Sequence, residues 1–430
     1  MHVAIIGGGV AGCAAAHHLG RLGHHVTIFE SQAHIGGRVH TMREGRFAME
    51  SGGDTVLSSY VATRDLMEDA GLGSLLRRFD HQSSVYDRDS HHVIRAGAPG
   101  CYATTPLLSV NDKLRLATGY VRAWLEKPAR AFEDFDAHRV QDMGSIAEWT
   151  QEHLGPAALK FIVRPSLESR WYFSCDDMPA AIMLDLVRRA IFVRFFCVAG
   201  GMTSMLTLLT HSAETRLKAQ VERVETVGRE AHVYTSDGIS PADGVIIATD
   251  AHSAAALLPQ HYRSPLSQVR YSQSVRVFIG FERDPWVGHV PTSITPIARN
   301  SPVATISLTS HKSSGLVPDG CQVVAVHLSA GASGRCSDLQ AIAISRDAVR
   351  CLLPDTDEPP VFVRVTRWRR ALPVSEVGLL AQLQAIRDHM PRSLRLAGDY
   401  FSLASIESAV RSGQRAARDL QMYLTGKTVI

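Results

Sequence analysis

The feature that most constrains this chain lies in its first thirty residues, MHVAIIGGGVAGCAAAHHLGRLGHHVTIFE. His2–Ile6 is a short apolar run, as expected of a parallel strand covered on both faces. Consecutive glycines follow, and Gly7, Gly9 and Gly12 fit the spacing GxGxxG. The first glycine permits a tight turn, the second lets a pyrophosphate approach the backbone, and the third lets helix and strand pack closely. Val10–Leu22 is alanine-rich and reads as a helix. Its first residues, Val10 and Ala11, bring amides and a positive dipole end to an anion. His25–Phe29 reads as a second strand, and Glu30 stands at its tip, 18 residues beyond Gly12. A carboxylate there accepts hydrogen bonds from both hydroxyls of a ribose and repels a 2′-phosphate. The opening therefore predicts a dinucleotide site in an α/β fold. Glycine spacing alone does not: Gly71-Leu72-Gly73 follows a helical pattern and only stops a helix.

Further layers point to one kind of dinucleotide. After Glu30 come Ser31 and then Gly36-Gly37-Arg38, which can lay two more amides and a guanidinium against the same pyrophosphate. Glu50-Ser51-Gly52-Gly53 makes another glycine-rich turn. A dinucleotide that comes and goes does not need these layers, whereas a permanently held FAD does. The closing stretch LRLAGDYFSLASIESAVRSGQRAA reads as a strand over 394–397, a tight turn at Gly398-Asp399, and a helix over 405–420. The N-terminus of that helix can face the negative charge that develops on a reduced flavin.

Taken together, GxGxxG, Glu30, Gly36-Gly37-Arg38 and the closing stretch resemble the flavin amine oxidase superfamily. That group includes protoporphyrinogen oxidases, amine oxidases, phytoene-type desaturases and hydroxysqualene-processing enzymes. The resemblance implies a Rossmann-type, GR2-like FAD-binding domain interleaved with an α+β substrate domain. The first would hold residues 1–62, 200–265 and 390–430. The second would hold a helical part, 63–199, and a sheet part, 266–389. The resemblance also assigns roles. The backbone of Val221 clamps adenine, and Ala248 ends the strand GVIIA near the cofactor. Asp399 accepts from hydroxyls of the ribityl or phosphate region, and Ser405 and Ile406 open the helix whose N–H meets the flavin. Arg276, in SVRVFIGFERDPW, either takes the place of the lysine that amine oxidases keep beside flavin N5 or is an exposed strand residue; Tyr400 is a catalytic candidate without the upstream partner that a double-tyrosine cage needs. No cysteine or histidine matches the covalent attachment site, so the FAD is expected to be non-covalent. RWRRALPVSEVG and LSVNDKLRL resemble protoporphyrinogen oxidases more than amine oxidases.

The implied function is an FAD-dependent oxidoreductase. It would remove a hydride from a C–N or C–C bond of a largely apolar organic substrate and pass electrons to oxygen or another acceptor. Two alternatives stay open: a desaturase or hydroxysqualene-type enzyme acting on a polyene or isoprenoid, and a non-redox flavoprotein. The cluster Arg164-Pro165 and Arg170-Trp171-Tyr172-Phe173 is either an anion-binding wall or a salt-bridged helix end beside core aromatics. Composition excludes other classes. A net charge of +3 offers no basic stripe for nucleic acid. The seven cysteines form no CxxC pair and the histidines no HExxH, so no metal site is expected, and scattered thiols point to a reducing, cytoplasmic setting. No apolar run reaches the 18 residues of a membrane span, which leaves peripheral membrane contact as the only membrane option.

Overall fold

The computed structural model describes residues 1–95, 97–125, 144–190, 192–288, 290–297, 301–312, 315–376 and 378–426; the other parts of the 63–199 and 266–389 segments and of the C-terminus lie outside it. At its centre is a five-stranded parallel sheet in the order Glu214–Leu217, His25–Glu30, His2–Ile6, Gly244–Ile247, Leu394–Leu396. Val3 to Ile6 pair in register with Gly244 to Ile247 on one side, and His2 to Ile6 with His25 to Phe29 on the other. The sheet is thus assembled from chain segments hundreds of residues apart. The uninterrupted apolar character of its strands follows from burial on both faces: Val3, Ala4, Ile5, Val245, Ile246 and Ile247 are fully buried.

One face carries the helices Val10–Arg21 and Ile406–Leu424, which cross in direct contact. The contact is close because a Cβ on Gly413 would lie 2.1 Å from the Ala11 carbonyl oxygen. The last helix is held by its second residue. Glu407 is fully buried, and its carboxylate accepts the N–H groups of Ala62 and Thr63, both at 2.9 Å, and the Thr63 hydroxyl at 2.8 Å. Those amides open the helix Val61–Asp69, whose own first turn has no capping side chain. A glutamate from the far end of the chain therefore supplies the acceptor that these donors lack.

A seven-stranded, mostly antiparallel sheet forms the second layer, in the order Pro360–Trp368, Ser274–Phe281, Gln322–Leu328, Val303–Leu308, Ser293–Pro296, Ser83–Asp87, Ser90–Ile94. The last two strands lie in a stretch expected to be helix-rich. They join here because Ser83–Asp87 pairs in parallel with Ser293–Pro296, a partner about 210 residues away. One face of this sheet is apolar. Val275, Val277, Ile279, Ile306, Leu308, Val324, Val326 and Leu328 pack together, and the helix Asp338–Leu352 covers them. The opposite face alternates out of that core and looks back at the parallel sheet.

Candidate active site

Between the two sheets lies a cavity of about 1160 Å³, larger than the roughly 300–1,000 Å³ that one small ligand needs. Its cofactor side is made of chain turns. Gly7 has φ +103°, and a Cβ there would come 2.8 Å from the Ala248 carbonyl oxygen; at Gly12 a Cβ would lie 2.0 Å from the Gly7 oxygen. Those two glycines serve the packing of strand on helix. Gly9 differs: it lines the cavity, and nothing lies within 4 Å of where its Cβ would be. The space at Gly9 is therefore left for something other than the chain itself.

Glu30 is buried and already ordered. Its carboxylate accepts the Gly8 N–H at 2.7 Å and the Gln32 N–H at 2.8 Å, with the Ser31 hydroxyl at 3.3 Å. The second glycine turn docks on the first through Gly36 N–H to the Gly8 carbonyl, 2.9 Å. The third docks on the second: Gly53 N–H reaches the Arg38 carbonyl at 3.1 Å, and a Cβ on Gly52 would meet that oxygen at 1.8 Å. Arg38 then joins the two ends of the chain. Its guanidinium donates to the Asp399 carboxylate at 2.7 Å and to the Ala371 carbonyl at 2.9 Å. Burial works against its charge, but the Asp399 carboxylate overcomes this and raises the arginine above its ordinary value. Ser405 caps the final helix by accepting the Ser408 N–H at 3.0 Å.

Seventeen of the expected cofactor residues line this one cavity: Gly7, Gly9, Val10, Ala11, Glu30, Ser31, Gly36, Gly37, Arg38, Gly52, Gly53, Val221, Ala248, Gly398, Asp399, Ser405 and Ile406. Gly12 lies behind the wall, under Gly7. Tyr400 does not reach the cavity. The short helical turn Asp399–Phe401 throws its ring into the core, where it is 2% exposed, lies 4.6 Å from the Phe401 ring and has its hydroxyl 3.5 Å from the Ala397 carbonyl. The catalytic role expected of Tyr400 is corrected by this placement.

Arg276 lines the cavity from the facing sheet. It is not a solvent-facing strand residue. Its guanidinium donates to the carbonyls of Gly52, 2.6 Å, and Glu50, 3.0 Å, and so braces the third glycine turn from the substrate side. Nearby, the Tyr172 hydroxyl meets His327 Nδ1 at 2.7 Å. Burial, followed by the charge on Arg276, keeps His327 well below the ordinary histidine range, so its ring is neutral. Tyr172 itself takes a left-handed backbone, φ +56°, at the end of the helix Arg164–Trp171. Trp171 and Trp368 also line the cavity, and their indole N–H groups donate to the carbonyls of Ala404, 2.9 Å, and Ser51, 2.7 Å. Asp54 pairs with Lys312 at 2.5 Å. Burial alone would raise Asp54, but the Lys312 and Arg276 charges hold it well below the usual carboxylate range.

Sequence reasoning missed His327, Lys312, Asp54 and a set of hydroxyls: Ser83, Ser293, Thr295, Thr305 and Ser307, all on the cavity wall. The available signal was alternation. Ser-Ile-Thr at 293–295 and Thr-Ile-Ser at 305–307 put one isoleucine in the core and two hydroxyls on the other face. That pattern is normally a solvent face, and here a second sheet lies across it. The resulting wall is more polar than a largely apolar substrate requires.

The sequence pattern of the family described as Flavin containing amine oxidoreductase matches residues 10–421. A coproporphyrinogen III oxidase from Bacillus subtilis is 22% identical over 98% of each chain. A zeta-carotene desaturase from Synechocystis is 26% identical over 67% of this chain and 66% of its own length. The crystal structure of a putative protoporphyrinogen oxidase from Exiguobacterium superposes with a TM-score of 0.79 at 20% identity, over 98% of this chain and 99% of that one.

Proposed function

We propose a working arrangement for a chain that belongs to the flavin containing amine oxidoreductase family and is an FAD-dependent oxidoreductase of organic substrates. Residues 1–62, 200–265 and 390–430 act as the FAD-binding domain, and 63–199 with 266–389 as the substrate domain. The cofactor cradle fits the group it would hold. Gly9 leaves open space beside the N-terminus of Val10–Arg21, where the helix dipole and the first amides would hold the pyrophosphate. Glu30, with both oxygens turned by backbone N–H groups, would take the adenosine ribose, and the backbone of Val221 the adenine. Ser405 and Ile406 would place a helix N-terminus at the flavin, and Asp399 is fixed for its hydroxyl contacts by Arg38.

Bound there, FAD would supply the two-electron acceptor for a hydride that leaves carbon as a neighbouring C–N or C–C single bond becomes a double bond, the matching proton passing to solvent. The chain binds, orients and excludes water. Arg276 stays charged and hydrogen-bonded to the Gly52 and Glu50 carbonyls, so it positions the cofactor turn and does not act as a base. Trp171 and Trp368 do the same for the loops at Ala404 and Ser51. FAD is held without a covalent bond, the partner is a small organic molecule rather than nucleic acid, and the chain works in the cytoplasm. The absence of any disulfide among seven cysteines supports that setting. Among the described residues no helix is long and apolar enough to cross a membrane.

The observation that carries this reading is the convergence of three glycine turns from the first 53 residues and the N-termini of two helices, Val10–Arg21 and Ile406–Leu424, on a single cavity. The purified chain should be yellow, release its flavin on denaturation, and bleach anaerobically with its substrate. Glu30→Ala should lower FAD affinity by about 1–3 kcal/mol, a charged acceptor being lost, as read by flavin fluorescence titration. A chain that stays colourless with excess FAD overturns the reading.

A further inference from the structure

The substrate side of the cavity carries more positive charge than it neutralises. Asp54, the acid that the substrate wall presents, is matched by Lys312 at 2.5 Å. Arg170 has no ion pair among the described residues; Asp54 acts on it only at longer range. Its guanidinium lies 5.9 Å from the centre of the Phe195 ring and 3.3 Å from His81 Nε2. Burial, reinforced by the Arg170 charge, holds His81 down at about 3, so it meets the arginine as a neutral acceptor. The contrast with Arg164, two turns earlier on the same helix, is direct: Arg164 pairs with Glu168 at 2.6 Å and Asp176 at 3.0 Å. Arg276, a further cation on this wall, donates to carbonyls and is opposed only at longer range by Glu50 and by Asp54, which is already paired with Lys312.

Beside these cations the sheet presents a shelf of hydroxyls in register. Ser83 lies across from Ser293 and Ser293 across from Ser307, in one row. Thr305 lies across from His327 in the next, and Thr295 reaches Thr305 at 3.2 Å. Each hydroxyl has one donor and two acceptor sites, so the bonds within the shelf leave capacity for a ligand. An apolar molecule laid over it would strand polar groups at about 1–3 kcal/mol apiece. A hydroxylated molecule would satisfy them, and its negative end would find the unmatched guanidinium.

We propose that this chain oxidises a polar organic anion, a carboxylate or phosphate monoester bearing several hydroxyls, whose charged end is held by Arg170 and whose body lies along the Ser83–Ser293–Ser307 shelf. This rests on the chain being an FAD-loaded oxidoreductase and gives it a substrate class.

The test is titration of the FAD-loaded chain, followed by the flavin visible spectrum, with gluconate, glycerol 3-phosphate, uncharged xylitol and apolar decylamine. At least one of the two anions should perturb the spectrum saturably and bind about ten-fold or more tightly than xylitol, a difference of about 1.4 kcal/mol. Which anion does so separates carboxylate from phosphate recognition. Arg170→Met should weaken that anion by about ten-fold or more while flavin content stays the same, and Arg170→Lys should restore part of the loss. Ser307→Ala, which leaves the charge in place, should weaken anion and xylitol alike, by a few-fold. Decylamine binding as tightly as the anions, no response to either anion, or indifference to Arg170→Met would each overturn the proposal. Flavin content is read in every sample. A yellow chain with no anion response defeats the substrate class alone, and a colourless chain defeats the reading beneath it.

Discussion

The two walls of the cavity are built on different principles. The cofactor wall is made of backbone: glycine turns at 7–12, 36–38 and 52–53 stack so closely that a single added carbon would overlap a carbonyl oxygen at Gly12 or Gly52. The substrate wall is made of side chains on a regular sheet, where Ser83, Ser293, Ser307, Thr305 and His327 could be exchanged without moving a strand. A wall made of backbone tolerates few sequences and holds one ligand. A wall made of side chains can be repainted while the sheet beneath it persists.

The largest expected effect breaks the cofactor wall. Gly52→Ala places a methyl 1.8 Å from the Arg38 oxygen, an overlap that should cost more than about 3 kcal/mol and abolish FAD retention. Gly9→Ala sharpens the comparison, because its Cβ meets nothing. It should keep the apo melting temperature within a few degrees yet lower FAD affinity by about ten-fold, measured on apo and loaded protein side by side.

Next comes the tie between the last helix and the second. Glu407→Ala strands two backbone N–H groups and a hydroxyl in the core and should destabilise by about 3 kcal/mol in urea unfolding. Glu407→Gln keeps an acceptor and should lose about half of that.

Glu50 gives a pH signature. Burial, only partly offset by the Met202 N–H, raises it from 4.5 to about 7. Between those values the folded chain binds a proton that the unfolded chain does not. This group's contribution is therefore greatest at low pH and is lost as pH rises toward 7. Glu50→Gln should remove a decline on the order of 3 kcal/mol between pH 5 and 7.5, seen as a flatter curve of melting temperature against pH than the parent shows.

The smallest effect belongs to the substrate wall. Thr305→Val keeps the volume and removes a hydroxyl bonded to the Ile294 carbonyl at 3.0 Å. It should change stability by about 1 kcal/mol or less and leave FAD content untouched. A loss of FAD here would show that the two walls are not independent.

The same division explains what could be read in advance. The cofactor wall was legible because its chemistry forces residue identity at fixed local spacing: His2–Ile6, Val10–Arg21 and His25–Glu30 lie within a residue or so of the expected bounds. Glycine is the visible trace of a backbone that approaches something closely. The strand Val303–Leu308 alternates apolar and polar residues, but alternation does not say what covers the polar face. Ser83–Asp87 was missed because it is short and its parallel partner is about 210 residues away, and Ser90–Ile94 was missed with it because it pairs only with that strand. Tyr400 was misplaced because the spacing after Gly398 does not say to which side a helical turn throws a ring. Glu407 resembled an ordinary first-turn acid, and only the fold reveals which amides it serves.

The clasp between Arg38 and Asp399 joins positions 361 residues apart. This clasp cannot close on the ribosome until residue 399 has been added, so the wall at Arg38 is completed only by contact between segments synthesised far apart in time.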